Sequence, residues 1–505
     1  MLSVASAPMQ EPSRVEAEQG EAQNRRKAPP RANIFGWGRL DLGLLALVVG
    51  LALWMRLQFA AAGAPTFVTP DSDDYLGPAY DLAHGLGFDP ELRRTPLYSI
   101  FVSAVLALGG NLASLALVQH ALGVLAAAAT YALGRATFGR LAGLLAGTAV
   151  ALSGPLIIYE HYLMAESLFS LLLAAAALVL VVGAKRDSFT WLFSAGAATG
   201  LAALTRPIGQ AAIPIAVGVP LLLAMPGWRR GLRRAVLIAC GVLVVLAPWL
   251  VRTWAVHGSL GAEGALGQAL IGRTIRHDRG FVYDDPRRPD PDPTRAAARR
   301  IIQQEASTGE PSGGTITARL RDELGLTQAQ TSALLLELAL DAISRRPTSY
   351  LASTAEAAWE LFQGKNERLL GHWRQRTTRN WDRKWDARLV PLLEDELPAE
   401  GQAYERADAL TSLFQPWRWR RSITLLFGLG ALAALAVPRW RTGLIPAAMA
   451  VTLLVAAAAL DGLVWRFRYP ADPLIAVVAS GGASAPIMLA LAGAGRIRRA
   501  VLART

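Results

Sequence analysis

Several short stretches of the chain combine acids, arginines and aromatic rings in patterns that could do chemistry. The first is Thr69-Pro-Asp-Ser-Asp-Asp-Tyr75, which puts the carboxylates Asp71, Asp73 and Asp74 beside Tyr75. A carboxylate at the edge of a low-dielectric region can act as a general base. The competing reading is that Asp71 or Ser72 caps a helix running through Ala83. The second is Arg93-Arg-Thr-Pro-Leu-Tyr98. Arg93 and Arg94 could grip a lipid phosphate, bidentately if geometry allows, or their stems could snorkel at an interface. Pro96 suits the first turn of a helix. The third is Tyr159-Glu-His-Tyr-Leu-Met-Ala-Glu166, with Glu160, His161 and Glu166 around a tight turn. Ionisable groups at membrane depth default to a functional hypothesis, although Glu166 would also complement a helix N-terminus. Two arginine motifs complete the set. Leu204-Thr-Arg-Pro207 offers Arg206 as a phosphate or carboxylate partner. Trp465-Arg-Phe-Arg-Tyr-Pro470 offers Arg466, Arg468 and Tyr469, flanked by Asp461 and Asp472.

The elements that must position these residues are membrane helices. The chain has 505 residues, 52% hydrophobic and 18% charged, against about 25% charged in soluble domains, and long stretches carry no charge at all. Candidate spans are Leu40–Phe59, Leu112–Leu133, Leu141–Ile158, Leu163–Val182, Trp191–Leu204, Ile208–Met225, Ala235–Leu250, Ile423–Val437, Leu444–Leu460 and Leu474–Ala492. The expectation is an all-α polytopic membrane protein of about ten transmembrane helices with outer-face juxtamembrane helices. Gly143/Gly147 and Gly196/Gly200 are small-xxx-small pairs suited to close helix packing.

Charge orients the bundle. Leu97–Leu108 is apolar, but as a helix it reaches only roughly 18 Å of an about 30 Å hydrocarbon core. If it does not span, then Arg135/Arg140, Lys185/Arg186, Arg229–Arg234, Arg439/Arg441 and Arg496–Arg499 all fall on the inner side. The positive-inside rule favours that parity and an interfacial helix on the outer leaflet. The same parity gathers every motif above on the outer face. The expected organisation is a disordered cytoplasmic tail at 1–39, an N-terminal membrane module at 40–250 with a catalytic outer loop at 60–111, an outer-face loop region at 251–422, C-terminal membrane helices at 423–494 and a basic tail at 495–505. The run Asp284–Pro293 reads as loop, Thr331–Ile343 as helix, and the tryptophans from Trp359 to Trp419 as interfacial aromatics.

Several function classes are excluded or disfavoured. The net charge of +12 sits mostly in short loops beside apolar runs, so it reports topology, and nucleic acid is not the expected partner. The single cysteine, Cys240, permits no disulfide within the chain. The histidines lack zinc-motif spacing, and no G-x-x-x-x-G-K-[ST] phosphate loop occurs. A divalent ion could bind the clustered acids, although their spacing dictates none.

Taken together, these motifs resemble the C-type membrane glycosyltransferases, in the branch of protein O-mannosyltransferases and aminoarabinose transferases. The resemblance rests on D-S-x-x-Y from Asp71, R-x-P-L-Y from Arg94, E-x-L-F from Glu166, L-T-R-P ending at Pro207 and R-F-R-Y-P-x-x-P from Arg466. It is strongest over residues 40–255, with an echo at 461–475. It implies a sugar donor on polyprenyl phosphate, a glycan, lipid or protein acceptor, membrane lipid as surroundings, and transfer on the outer face with inversion. Carried over, Asp71 would be the general base and Glu166 the second acid, where related enzymes often have Asp. Arg94, with Arg206 and Arg468, would hold the donor phosphate, and Asp73, Tyr75, Arg93, Tyr98, Glu160, His161 and Tyr469 would line the substrate site. The implied location is the inner membrane of a bacterium, with the active site extracytoplasmic.

Other classes fit parts of the pattern. A flippase or transporter for polyprenyl-linked glycans would use the same surface for binding only, but should place ionisable groups mid-span; only Arg56 stands out, and it lies near a span end, which disfavours transport. A glycan polymerase would use lipid-linked donor and acceptor. A membrane scaffold would not need Asp71.

Overall fold

The computed structural model describes residues 36–62, 66–88, 94–223, 227–257, 265–278, 281–308, 311–364, 388–394 and 402–502. Arg93, most of the N-terminal tail and the tryptophans at 373, 381 and 385 therefore lie outside the described residues. The described chain is helical, and its only β feature is an isolated bridge between Phe67 and Tyr162.

In chain order the helices are α1 (Arg39–Ala61), α2 (Pro70–Ala83), α3 (Pro96–Ala107), α4 (Leu112–Thr137), α5 (Arg140–Leu152), α6 (Gly154–Tyr159), α7 (Glu166–Arg186), α8 (Phe189–Thr205), α9 (Ala212–Leu223) and α10 (Trp228–His257). There follow α11 (Ala265–Arg276), α12 (Pro293–Ala306), α13 (Gly313–Leu324), α14 (Gln328–Arg345), α15 (Pro347–Gln363), α16 (Val390–Glu394) and α17 (Gln402–Ser412). The last three are α18 (Arg420–Ala436), α19 (Leu444–Asp461) and α20 (Asp472–Leu502). Residues 1–44 and 45–505 form two compact units. Within the first, the Gly38 N–H donates to Asp41 Oδ2 at 2.9 Å.

The chain is a multi-pass membrane protein. Among the described residues, six helices are long and apolar enough to cross a membrane, on α1, α4, α7, α10, α19 and α20. The other four expected spans fall on shorter helices. Leu141–Ile158 is not one helix but two, α5 and α6, parted at Ser153, which takes an extended backbone (φ −62°, ψ 108°) ahead of Pro155. Proline cannot donate to the preceding turn, and α5 ends there. Ile208–Met225 opens on a 3₁₀ turn at Pro207–Ala211 before α9 begins. Leu163–Val182 starts at Glu166, because residues 161–163 pair with Phe67 instead of entering the helix. The segment expected as a basic tail at 495–505 continues α20 as far as Leu502.

Small residues let the spans approach closely. A Cβ on Gly196 would lie 2.0 Å from the Ile238 carbonyl oxygen, and one on Gly143 would lie 2.7 Å from that of Tyr131. Backbones this near gain van der Waals contact that larger residues would forbid. The bundle core is accordingly Ala-, Leu- and Val-rich, running from Leu133 through Leu173 and Ala195 to Leu453 and Val478.

The region from α11 to α15 has its own core, built from Leu270, Ile271, Tyr283, Ile302, Leu320, Leu335 and Leu338. Arg299 crosses it, bonding Asp290 (2.9 Å) and Asp341 (2.7 Å). Asp284–Pro293 is loop up to the start of α12, and Thr331–Ile343 lies within α14, as the patterning suggests.

Candidate active site

Helix α2 presents the acids. Thr69 is its N-cap and Pro70 stands in its first turn, where a missing N–H removes no helical bond. The Thr69 N–H donates to Ser72 Oγ at 2.8 Å. Thr69 and Ser72 thus make the cap, and the Asp71 carboxylate is left over. It stands in the first turn, where the helix dipole favours an anion.

Two arginines from distant segments meet it. Arg94 Nη2 donates to Asp71 Oδ1 at 3.0 Å, and Arg94 Nε donates to Asp74 Oδ2 at 3.0 Å. Arg466 Nη1 donates to Asp71 Oδ2. Asp71 keeps 32% of its side-chain exposure, and both arginines keep 28%. The cluster is therefore half-buried and open to a ligand. Burial pushes the Asp71 carboxyl up, but Arg466 and Arg94, with Arg206 further off, outweigh it and hold the group below its usual value. It stays ionised at neutral pH. Asp73 is half-buried in the same first turn.

Aromatic residues form the floor. The Arg94 guanidinium lies 5.6 Å from the centroid of the buried Tyr75 ring. Tyr75 packs edge-on against Tyr98 at 5.0 Å. The Tyr98 hydroxyl, fully buried, donates to Gln119 Oε1 at 2.8 Å. Gln119 Nε2 in turn donates to the Glu160 and Tyr162 carbonyls, both at 2.9 Å. Tyr75 and Tyr98 therefore hold Arg94 from beneath and tie α2 and α3 to the Glu160–Tyr162 turn.

A second pair sits close by. Arg206 Nη1 donates to Glu166 Oε1, joining the start of α7 to the end of α8. The Arg206 guanidinium also lies 4.8 Å from the Phe467 ring centroid, in the same turn as Arg466. Glu166 Oε2, Ser170 Oγ and Arg56 Nε are buried without hydrogen-bond partners. All three residues line one small cavity of about 10 Å³, beside Tyr469. That is room for about one water molecule. Tyr469 is buried, its ring 4.8 Å from that of Tyr159.

Three expected ligand-facing residues are buried among protein partners. Glu160 is buried, bonded by Arg56 Nη2 at 2.6 Å and facing His120 Nδ1 at 2.6 Å. Arg56 also donates to the carbonyls of Ala52 (3.2 Å) and Ala151 (3.0 Å). His161 is buried, with its ring 4.6 Å from both Phe59 and His120. Arg468 bonds Asp472 (3.2 Å) and the Phe362 carbonyl (2.8 Å), and is 3% exposed. Of the two arginines in R-F-R, it is Arg466 that reaches Asp71. Consecutive 3₁₀ turns over 465–471 decide which one, and no sequence pattern marks them in advance. The Arg56–Glu160–His120 group was half visible, as an arginine inside an apolar span. Among the described residues, no group of three or more His, Cys, Asp or Glu could hold a metal ion.

Comparison with known proteins adds an independent observation. Residues 93–254 match the family model of dolichyl-phosphate-mannose-protein mannosyltransferases. The match takes in Arg94, Glu166 and Arg206, and stops short of Arg466. Among solved structures, the oligosaccharyltransferase AglB from Archaeoglobus fulgidus, in complex with an inhibitory peptide and a dolichol-phosphate, is 12% identical with a TM-score of 0.48. It covers 90% of this chain, which in turn spans 52% of the archaeal protein. ArnT from Cupriavidus metallidurans bound to undecaprenyl phosphate is 15% identical with a TM-score of 0.36, covering 88% of this chain and 78% of its own. No curated protein matches the chain. Over residues 93–254 the chain resembles the dolichyl-phosphate-mannose-protein mannosyltransferases, the branch of C-type membrane glycosyltransferases that its motifs also resemble.

Proposed function

We propose that this protein is a glycosyltransferase that moves a sugar from a polyprenyl-phosphate donor to an acceptor hydroxyl on the extracytoplasmic face of a bacterial inner membrane. The observation that carries the reading is Asp71, an ionised carboxylate held between Arg94 and Arg466 and still open to a ligand. The family match over residues 93–254 supports the same class.

The chemistry follows from the groups. The acceptor oxygen forms its bond to the anomeric carbon from the face opposite the phosphate, and its proton passes to Asp71. The bond from carbon to phosphate oxygen breaks, and the electron pair leaves with the phosphate, inverting the centre. Preorganised guanidiniums stabilise that developing charge. Arg94 and Arg466 each have N–H groups beyond those given to the carboxylates, and Arg466 Nε has no partner. A donor phosphate would draw these arginines away from Asp71 and leave it a stronger base. The leaving group is already anchored in the bilayer, so the reaction draws on no nucleotide.

The proposed face rests on charge. Glu166 and Arg186 are opposite ends of α7. At the Arg186 end, Asp187 is bonded by Arg233 (2.8 Å) and Arg234 (2.9 Å), and Lys185 donates to the Ala136 carbonyl. These cations gather at the end of α7 opposite Glu166, as the positive-inside rule asks of a cytoplasmic side.

The test is transfer by purified protein offered undecaprenyl-phosphate-linked hexoses and pentoses. Asp71→Asn should lower the rate by about 10²–10⁴ while undecaprenyl phosphate still binds. Transfer at the unaltered rate would remove the base from the proposal.

A further inference from the structure

Three unanswered polar atoms of the bundle converge on one place. Arg56 gives Nη1 to the Ala52 and Ala151 carbonyls and Nη2 to Glu160, which leaves Nε as its one nitrogen without a partner. Glu166 Oε1 accepts from Arg206, and among the described residues Oε2 accepts from nothing. Ser170 stands one helical turn on, on the same face of α7 as Glu166. Threonines of α4 and α8 fold their hydroxyls back onto the carbonyl four residues earlier, as Thr130, Thr137 and Thr199 do on Ala126, Leu133 and Ala195. Ser170 Oγ makes no such bond. Arg56, Glu166 and Ser170 are only 2%, 2% and 3% exposed, so bulk solvent does not serve them.

All three residues line the same cavity of about 10 Å³. Arg56 Nε meets it beside Gly123, which also lines it and whose Cβ would lie 2.7 Å from that nitrogen. Glu160 lines it too, but its oxygens are committed, Oε1 to Arg56 and Oε2 to His120. The donor set selects the ligand. Arg56 Nε can only donate, the Glu166 carboxylate can only accept, and the Ser170 hydroxyl can do either. A metal cation would be repelled by the guanidinium, and an anion by the carboxylate. A water molecule answers both, and three bonds is what a buried water ordinarily makes.

We propose that one buried water occupies this cavity, accepting from Arg56 Nε, donating to Glu166 Oε2 and bonding Ser170 Oγ, and that it makes Arg56 a positioning residue for the Glu166–Arg206 pair. The water fixes Glu166 by its second oxygen. Glu166 in turn holds Arg206 against Phe467, in the turn that presents Arg466 to Asp71. The closed group of Arg56, Glu160 and His120 is thereby wired to the open one through a single solvent molecule. The water itself follows from the cavity and its lining. Its bearing on a donor phosphate rests on the transferase reading above.

The experiment uses full-length protein in lipid nanodiscs, with undecaprenyl phosphate as the probe. Cryo-electron microscopy at a resolution that shows ordered solvent should place one density within hydrogen-bonding distance of Arg56 Nε, Glu166 Oε2 and Ser170 Oγ. Ser170→Ala keeps the space and removes one partner of the water, whereas Ser170→Val fills the space with a methyl group. Thermal unfolding should rank wild type above Ser170→Ala, and Ser170→Ala above Ser170→Val, because valine strands a guanidinium N–H and a carboxylate oxygen. A dry cavity predicts the opposite for valine, since filling it would stabilise the protein. The Kd for undecaprenyl phosphate should rise about 3–10-fold in Ser170→Val, the scale of one hydrogen bond, and less in Ser170→Ala. In sugar transfer the donor KM should follow that Kd while the acceptor KM holds. If Ser170→Val does not fold, Ser170→Thr, which keeps the hydroxyl and adds one methyl group, supplies the same comparison. No density in the cavity, or a Ser170→Val protein at least as stable as Ser170→Ala, overturns the water. An unchanged Kd in a variant that has lost the water overturns the positioning role. A wild type that transfers no sugar overturns the transferase reading alone, since the density, the stability order and the Kd need no transfer.

Discussion

Two arginine–carboxylate clusters of this protein behave differently. Asp71, Arg94 and Arg466 are each about a third exposed. Arg56, Glu160 and His120 are all but inaccessible, at 2%, 3% and 6% of side-chain exposure. The residue types are nearly the same, and the surroundings separate their tasks. In the open cluster water and ligand can compete for the arginines, so the pairing is exchangeable and suits binding and catalysis. In the closed one every charge must be answered by protein, because an unpaired ion there costs several kcal/mol. Its consequence is architectural: it fastens α1 to the turn at Glu160 and to α4, on which the floor of the open cluster rests through Gln119.

The comparison breaks most readily at Arg56. Arg56→Ala strands Glu160 and should destabilise the protein by about 3–5 kcal/mol, seen as a drop in Tm and in monodisperse yield in detergent. An Arg56→Ala protein as stable as wild type would dissolve the distinction between the clusters. Arg94→Ala, in the open cluster, should leave Tm nearly unchanged and raise the donor KM by about 10–100-fold, as loss of a charge-assisted hydrogen bond would. Gly123→Ala sharpens the closed side, since its Cβ would lie 1.9 Å from Glu160 Oε1 and 2.7 Å from Arg56 Nε. Overpacking of that kind should cost about 1–3 kcal/mol, read by thermal unfolding.

The smallest effect concerns pH. Because Asp71 is held below its usual value by Arg466 and Arg94, its stabilising contribution is present above the ordinary carboxylate pKa and fades as pH falls through the lowered one. The acid limb of kcat/KM should lie below the ordinary carboxylate range. Arg94→Gln removes one of the charges responsible and should move the limb upward; a profile that does not shift would place the titrating group elsewhere.

Much of the fold is legible in the sequence alone. The apolar runs locate the helices, Pro96 opens α3 as its position suggests, and the glycine pairs fall where helices touch. The break at Ser153–Pro155 is less visible, because an unbroken run of apolar residues overrides the proline by eye. The site is legible as a set of motifs and not as a set of contacts. Asp71 reads equally well as a helix cap until Thr69 and Ser72 are found to make that cap. Glu160 looks like a ligand-facing acid because a turn between spans is where such acids are sought. Its actual partners come from α1 and α4.

The sequence by itself determined that this chain crosses a membrane repeatedly, where its helices lie, and which loops hold its acids and arginines. Those properties are local: hydropathy, charge and turn chemistry act over a few residues. The tertiary structure decided which charges meet. Arg466 and Asp71 are 395 positions apart, and Arg56 and Glu160 are 104 apart. Packing alone sets whether such a pair is left at the surface, where it can trade partners, or sealed in the bundle, where desolvation commits it to structure.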